Sequence, residues 1–217
     1  MDLPQAVVFD CDGTLADTEP ISDRAWADVL SERGYTPTAA DARATVGRPY
    51  PETFAYFAGR VDLGEPSAFR RALRTRFLER FATELELFED TVGVLRTLAS
   101  RGVPIAVASS SSHEHVARVL GRARLTRLVD VVIGSDDVVR HKPHPEPYLQ
   151  AVGALGADPA ASVAVEDTDV GVASALAAGL YTVAVVRGHV PAAELVAADR
   201  VVTTLTLDDL EARRWMR

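Results

Sequence analysis

The segment VVFDCDGTLADTEP, Val7 to Pro20, starts as an apolar β run and then sets Asp10, Asp12 and Asp17 close together where the run stops. Carboxylates crowded at the end of a buried strand repel one another and lose hydration, so the cluster requires a cation or a shared proton to offset that cost. An EF-hand calcium loop is excluded, because counting from Asp10 its obligatory Gly falls on Leu15 and its terminal Glu on Ile21. The reading of the rest of the chain follows from what else could reach this point.

Downstream, from Asp90 on, helix and strand alternate: TVGVLRTLAS, VPIAVAS, SHEHVARVL, DVVIG, EPYLQAVGALG, SVAVED, GVASALAAG, YTVAVV. The strands are short and apolar on both faces, the pattern of a parallel sheet covered by helices on both sides. The fold class is therefore α/β, a doubly wound Rossmann-like parallel sheet, and Val7–Phe9 belongs to it. Between them lies a block with helical spacing throughout: Pro20–Arg33, Thr38–Val46, Pro51–Ala58 and Pro66–Leu85. It reads as an inserted all-helical cap, residues 18–88, leaving 1–17 and 89–217 as the core. In the last of these helices Phe69, Leu73, Phe77 and Phe81 form a packing seam, while Arg70, Arg71, Arg74 and Arg80 read as a solvated face.

Ligands of such sheets bind beyond the carboxyl ends of the strands. Four segments meet there: Asp10 and Asp12 from the first, Ser109 and Ser110 from VASS, Lys142 from HKPHP, and Glu166 with Asp167 from VEDT. Lys142 is the only lysine among 23 basic residues, which singles out a place where a compact point charge is wanted. Asp10, Glu166 and Asp167 make a hard oxygen site suited to Mg²⁺. A phosphate ester against that ion would face the Asp10 carboxylate as nucleophile, with Asp12 as acid and then base. Gly13 permits the sharp turn that aims nearby amides at phosphoryl oxygens, Ser109 and the Ser110 amide hold another oxygen, and Lys142 neutralises the transferred group.

Taken together, DCDGT (Asp10 to Thr14), VASS, HKPHP and VEDT, in order and at strand ends, resemble the haloacid dehalogenase superfamily, in its phosphatase and β-phosphoglucomutase-like branch with a helical cap. The resemblance implies Asp10 as nucleophile, Asp12 as acid/base, Ser109 and Lys142 as phosphate anchors, and Mg²⁺ held by Asp10, the Asp12 carbonyl and Asp167 with Glu166 assisting. Gly13, Thr14, Ser110, Glu19 and Arg48 complete the substrate-binding set. Arg48, in VGR on a cap loop, is a candidate for the distal part of the substrate or an ordinary surface cation; Glu19 and Thr18 touch substrate or cap the helix beginning near Pro20. The dehalogenase branch lacks the second Asp, present here as Asp12, and the phosphonatase branch needs a cap lysine that this chain lacks. Mutase relatives carry a cap His and Arg where this chain has Ser22 and Tyr50, although Arg48 lies close enough to substitute if the loop shifts; the departure favours hydrolysis, with a β-phosphoglucomutase-type phosphosugar mutase as the alternative. The implied substrate is a small phosphorylated sugar or polyol, and the cap implies a cover that excludes water when it closes. A catalytically silent binding module on the same fold is the remaining class of alternative, although none of the key groups is missing.

Composition narrows the setting. In 217 residues, 47% hydrophobic, no apolar run reaches membrane-spanning length and the first residues lack the basic flank of a signal peptide. A formal charge of −8 argues against a nucleic-acid surface. The one cysteine, Cys11, excludes an internal disulfide. These readings give a cytoplasmic monomer acting on a small molecule, with Cys11 a buried thiol. His113 and His115, two apart at a helix start, do not share a face as metal ligands would. His141 and His144 shape the loop around Lys142, and Asp169 is a candidate helix cap.

Overall fold

The computed structural model describes residues 3–45 and 50–211. Its chain divides into two compact units, residues 1–16 with 87–217, and residues 17–86. In order, the elements are β1 Ala6–Phe9, β2 Ala16–Asp17, α1 Glu19–Ser31, α2 Ala39–Thr45, α3 Tyr50–Ala58, α4 Pro66–Glu84, β3 Glu86–Leu87 and α5 Glu89–Ser100. They continue with β4 Ile105–Ala108, α6 His113–Arg122, β5 Val131–Ile133, α7 Glu146–Leu155, β6 Ser162–Glu166, α8 Asp169–Ala177, β7 Tyr181–Val185 and β8 Arg200–Val202.

Six strands of the larger unit form one sheet in the order β5-β4-β1-β6-β7-β8, every pairing parallel. β1 sits at its middle, with Phe9 opposite Val107 on one side and Val165 on the other. All four β1 residues are fully buried, as a strand covered on both faces must be, and this is why its sequence is continuously apolar instead of alternating. On one face the small side chains of Ala106, Ala108 and Ala164 pack with Tyr148, Ala151 and Val152 of α7 and Ala175 of α8. β8, the edge strand, escapes the sequence pattern because its three residues, Arg200–Val202, are too short and too exposed to show a buried run.

The smaller unit is helical apart from its two boundary strands, and its core gathers Val29, Leu30, Phe57, Leu63 and Phe69 with Trp26, Tyr50 and Phe54 around them. Trp26 lies 5.3 Å from the Phe69 ring and 5.7 Å from that of Tyr50. Phe69 and Phe81 are buried as the seam requires, but Arg80 is not on a solvated face. Its guanidinium makes a two-pronged pair with Asp28, 2.8 and 2.9 Å, and so joins α4 to α1. Alternating charge hid this, because an arginine on the flank of an amphipathic helix reads the same whether or not a partner helix supplies an acid. Asp41 is buried and accepts from the Thr38 amide and hydroxyl and from the Tyr35 and Tyr56 hydroxyls, at 2.7–3.0 Å. These bonds hold its carboxyl well below the usual range.

Among the described residues no helix is long and apolar enough to cross a membrane.

Candidate active site

Because β1 and β6 are neighbours in register, Asp10, one residue past β1, and Glu166 and Asp167, at and just past the end of β6, come out of the sheet side by side. Asp10 is pinned by its amide, which donates to Val165 O at 2.9 Å. Asp10, Glu166 and Asp167 are all buried, and each offers an oxygen within 4.8 Å of the others. Lys142 reaches in from the loop before α7: its Nζ donates to Asp10 Oδ1 at 2.7 Å, Glu166 Oε1 at 2.6 Å and Ala108 O at 3.0 Å, using all three protons. The side chain is 4% exposed, so the lone lysine of the chain is its buried one.

One ammonium among three carboxylates leaves excess negative charge in a desolvated place. Burial pushes the Asp10 carboxyl from 3.8 up to about 7, opposed by Lys142 and reinforced by Glu166. Burial also raises Asp167 well above its ordinary value, helped by Asp10 and Glu166. Burial alone would lower Lys142, but Asp10 and Glu166 outweigh it and hold the ammonium charged. A hard divalent cation relieves this imbalance, and carboxylate oxygens at this spacing are the donors it prefers.

Glu166 is occupied on both oxygens. Oε1 takes Lys142 and the Tyr148 hydroxyl, 2.8 Å; Oε2 takes the Asp167 amide, the Thr168 amide and the Thr168 hydroxyl, 3.0–3.3 Å. It therefore anchors the lysine and the turn after β6. A Cβ at Gly171 would overlap this carboxylate, so α8 can start against Glu166 only with glycine there. Thr168, not Asp169, is the cap of α8: its hydroxyl accepts from the Gly171 amide at 3.1 Å.

The DCDGT turn is fixed by its glycine and its threonine. Gly13 has φ +86°, and a Cβ there would collide with the Asp167 carboxylate, so glycine is demanded by both conformation and close approach. Its amide donates to Ala16 O at 2.8 Å and closes the turn. Thr14, fully buried, donates its hydroxyl to Asp167 Oδ1 at 3.2 Å and so supports that carboxylate. Cys11 is fully buried, and burial pushes its thiol up.

Asp12 lies at the rim, its carboxylate 23% exposed. Ser111 Oγ donates to its Oδ2 at 2.7 Å and His115 Nε2 lies 2.7 Å from its Oδ1, while Ser109 Oγ is 3.5 Å away. Ser109 is buried and accepts from the Ser111 amide at 3.0 Å, and Ser110 is exposed. The His141–His144 loop is tied by His144 N to His141 O, 2.8 Å, and by Ser174 Oγ to His144 O, 2.6 Å. In the helical unit, Glu19 opens α1 and is half-buried, and Thr18 makes no side-chain cap there. Arg48 lies outside the described residues.

Three neighbours of the site escaped the sequence reading. Tyr148, fully buried with its ring 5.0 Å from Lys142 Nζ, had one available signal, a tyrosine on the apolar face of α7, whose hydroxyl needs a partner. Ser111 is indistinguishable in a run of four serines. His115, excluded as a metal ligand by its spacing from His113, carries no local sign of a contact that spans 103 residues.

A six-stranded parallel sheet carrying an acidic cluster and a buried lysine at its carboxyl edge, with a helical insertion after the first strand, defines a class. The chain belongs to the haloacid dehalogenase-like hydrolase family, whose sequence model matches residues 7–185. It is 31% identical over 218 residues to validoxylamine A 7'-phosphate phosphatase from Streptomyces hygroscopicus subsp. limoneus, covering 97% of this chain and 96% of that protein. With hexitol phosphatase A of Escherichia coli K12 it shares 31% identity over 179 residues, 82% of this chain and 81% of the relative. A solved HAD family hydrolase from Deinococcus radiodurans R1, with bound phosphate and sodium, matches at a TM-score of 0.77 and 33% identity, over 98% of this chain and 96% of that one.

Proposed function

We propose that this chain is a Mg²⁺-dependent phosphatase that hydrolyses a small phosphate monoester, most simply a sugar or polyol phosphate, through an aspartyl phosphate on Asp10. The observation that carries the reading is the meeting of Asp10, Lys142 and Asp167 from three segments at one sheet edge, with Asp12 beside them. The relatives named as phosphatases, one of them a hexitol phosphatase, support the substrate class.

Asp10 attacks phosphorus while Asp12, protonated, donates to the departing alcohol oxygen; Asp12 then takes a proton from the water that hydrolyses the acyl phosphate. Lys142 opposes the rise that burial imposes on Asp10 and offsets charge on the phosphoryl oxygens. Ser109 anchors one of those oxygens, and Ser110 is a second candidate. Asp10, the Asp12 carbonyl and Asp167 would hold Mg²⁺, with Glu166 behind them; when bound, the ion shields the nucleophile and the phosphate from their mutual repulsion. Arg48 and Glu19 remain proposed substrate contacts of the helical unit. Tyr50, built into the aromatic cluster of that unit, does not supply the basic residue of the phosphosugar mutases, which favours hydrolysis. The free, buried thiol of Cys11 is compatible with the reducing cytoplasm proposed for this chain, and a monomer is the state proposed with it.

A panel of metabolite phosphates with Mg²⁺, read as inorganic phosphate release and run beside conversion of β-glucose 1-phosphate to glucose 6-phosphate, tests the proposal. Release from at least one ester is expected, lost by roughly a thousandfold or more in Asp10→Asn. No Mg²⁺-dependent release from any ester, or a fully active Asp10→Asn protein, would overturn it.

A further inference from the structure

We propose that His115 is a positioning residue for Asp12, fixing the plane of the acid/base carboxylate together with Ser111; this rests on Asp12 being the acid/base. A carboxylate on a loop turns easily about its last torsion, whereas proton transfer requires one oxygen aimed at the reacting atom. Here both oxygens are gripped, Oδ1 by His115 Nε2 and Oδ2 by Ser111 Oγ, each at 2.7 Å. Against an ionised carboxylate Nε2 is the donor and so carries the proton.

The segment is built to present that ring. Ser112 caps α6 and its hydroxyl accepts from the His115 amide at 3.3 Å, fixing the backbone from which the ring extends. Anchoring of the loop itself falls to His113: its amide donates to Asp136 Oδ1 at 2.7 Å and its Nδ1 lies 3.0 Å from Asp137 Oδ2. Arg118, one turn on from Glu114, pairs with it at 2.6 Å. The His115 ring, 17% exposed, is thus the group of this helix that serves Asp12. An imidazole is a rigid donor, where the Ser111 hydroxyl can rotate, so the histidine is the member that sets the plane.

The test is steady-state hydrolysis of p-nitrophenyl phosphate with Mg²⁺ by the wild type and by H115A, H115Q, D12A and D12A/H115A, with thermal midpoints as the control for folding. His115→Ala is expected to lower kcat by about 10–100-fold with KM within about twofold, and His115→Gln, which keeps an N–H donor, to recover most of it. In the D12A background, removing the histidine should cost nothing further. Loss in D12A but none in H115A would overturn the inference and leave the acid/base reading standing; no loss in D12A would overturn that reading and this one with it. A second readout needs no turnover: the imidazole ¹⁵N shifts of His115 should move in Asp12→Asn. Unmoved shifts would overturn the proposal. Should H115A fail to fold, H115Q and the ¹⁵N shifts decide it.

Discussion

At Asp10 burial and charge pull in opposite directions, and the residues around it are chosen for that conflict. Lys142 spends its three protons on Asp10, Glu166 and a carbonyl, and Glu166 in turn is held by Tyr148 and the turn after β6. An arginine would not fit this role, since its planar fork needs more room than a point charge. The tightest demand falls on Gly13, where a methyl group would meet both a left-handed backbone and the Asp167 carboxylate. Gly13→Ala is therefore expected to displace Asp167: Mg²⁺ affinity, read by calorimetry, should fall by roughly tenfold or more and phosphatase activity with it. Wild-type affinity in this variant would contradict the role given to the turn. At this scale the sequence already pointed to Asp10, Asp12, Lys142 and Asp167. It did not separate Thr14, which looks like a substrate contact by its place in the motif, from a support for Asp167, because only the fold shows where a hydroxyl points.

Among elements, α1 to α4 were legible from their periodicity, and the short α2 is the informative case. It has seven residues, too few to be stable alone, and it is held at Asp41 by hydroxyls from Tyr35, Thr38 and Tyr56. Asp41→Ala should destabilise the helical unit, measured by urea unfolding, since it removes the one acceptor that the Tyr35, Thr38 and Tyr56 donors share. The pH dependence has a definite sign. The folded-state pKa of Asp41 is depressed below the unfolded 3.8, so its contribution is present above about pH 4 and is lost as pH falls further. The wild type should thus lose stability relative to Asp41→Ala on acidification below that point, and a constant difference would refute the assignment. Only the tertiary structure showed Arg80 joining α4 to α1, for the same reason that β8 escaped notice: a short or charged stretch carries no periodic signal, and its partner lies far along the chain.

Across the whole molecule, the acidic cluster links stability to pH and, under the proposed function, to the metal. Asp10 keeps its proton to about pH 7 in the fold but only to 3.8 when unfolded, so it favours the native state at low pH and that advantage is lost as pH rises through about 7. Under the proposed function Mg²⁺ would bind the deprotonated cluster. Its stabilisation should therefore be slight at pH 5 and, at pH 8 with about 100 times Kd of Mg²⁺, roughly 2.7 kcal/mol, or about 5–10 °C in Tm. Differential scanning calorimetry at the two pH values checks this, and an equal shift at both would mean that the ion binds elsewhere.

Apart from the short strands β2, β3 and β8, the order of strands and helices, the helical insertion and the four motif segments were determined by the sequence alone, because burial on both faces and helical spacing leave local, periodic marks. What the tertiary structure decided was pairing across distance: which carboxylate accepts from which donor, and that Ser111 and His115 close on Asp12. Such contacts depend on the meeting of strand ends far apart in the chain, and no local pattern records them.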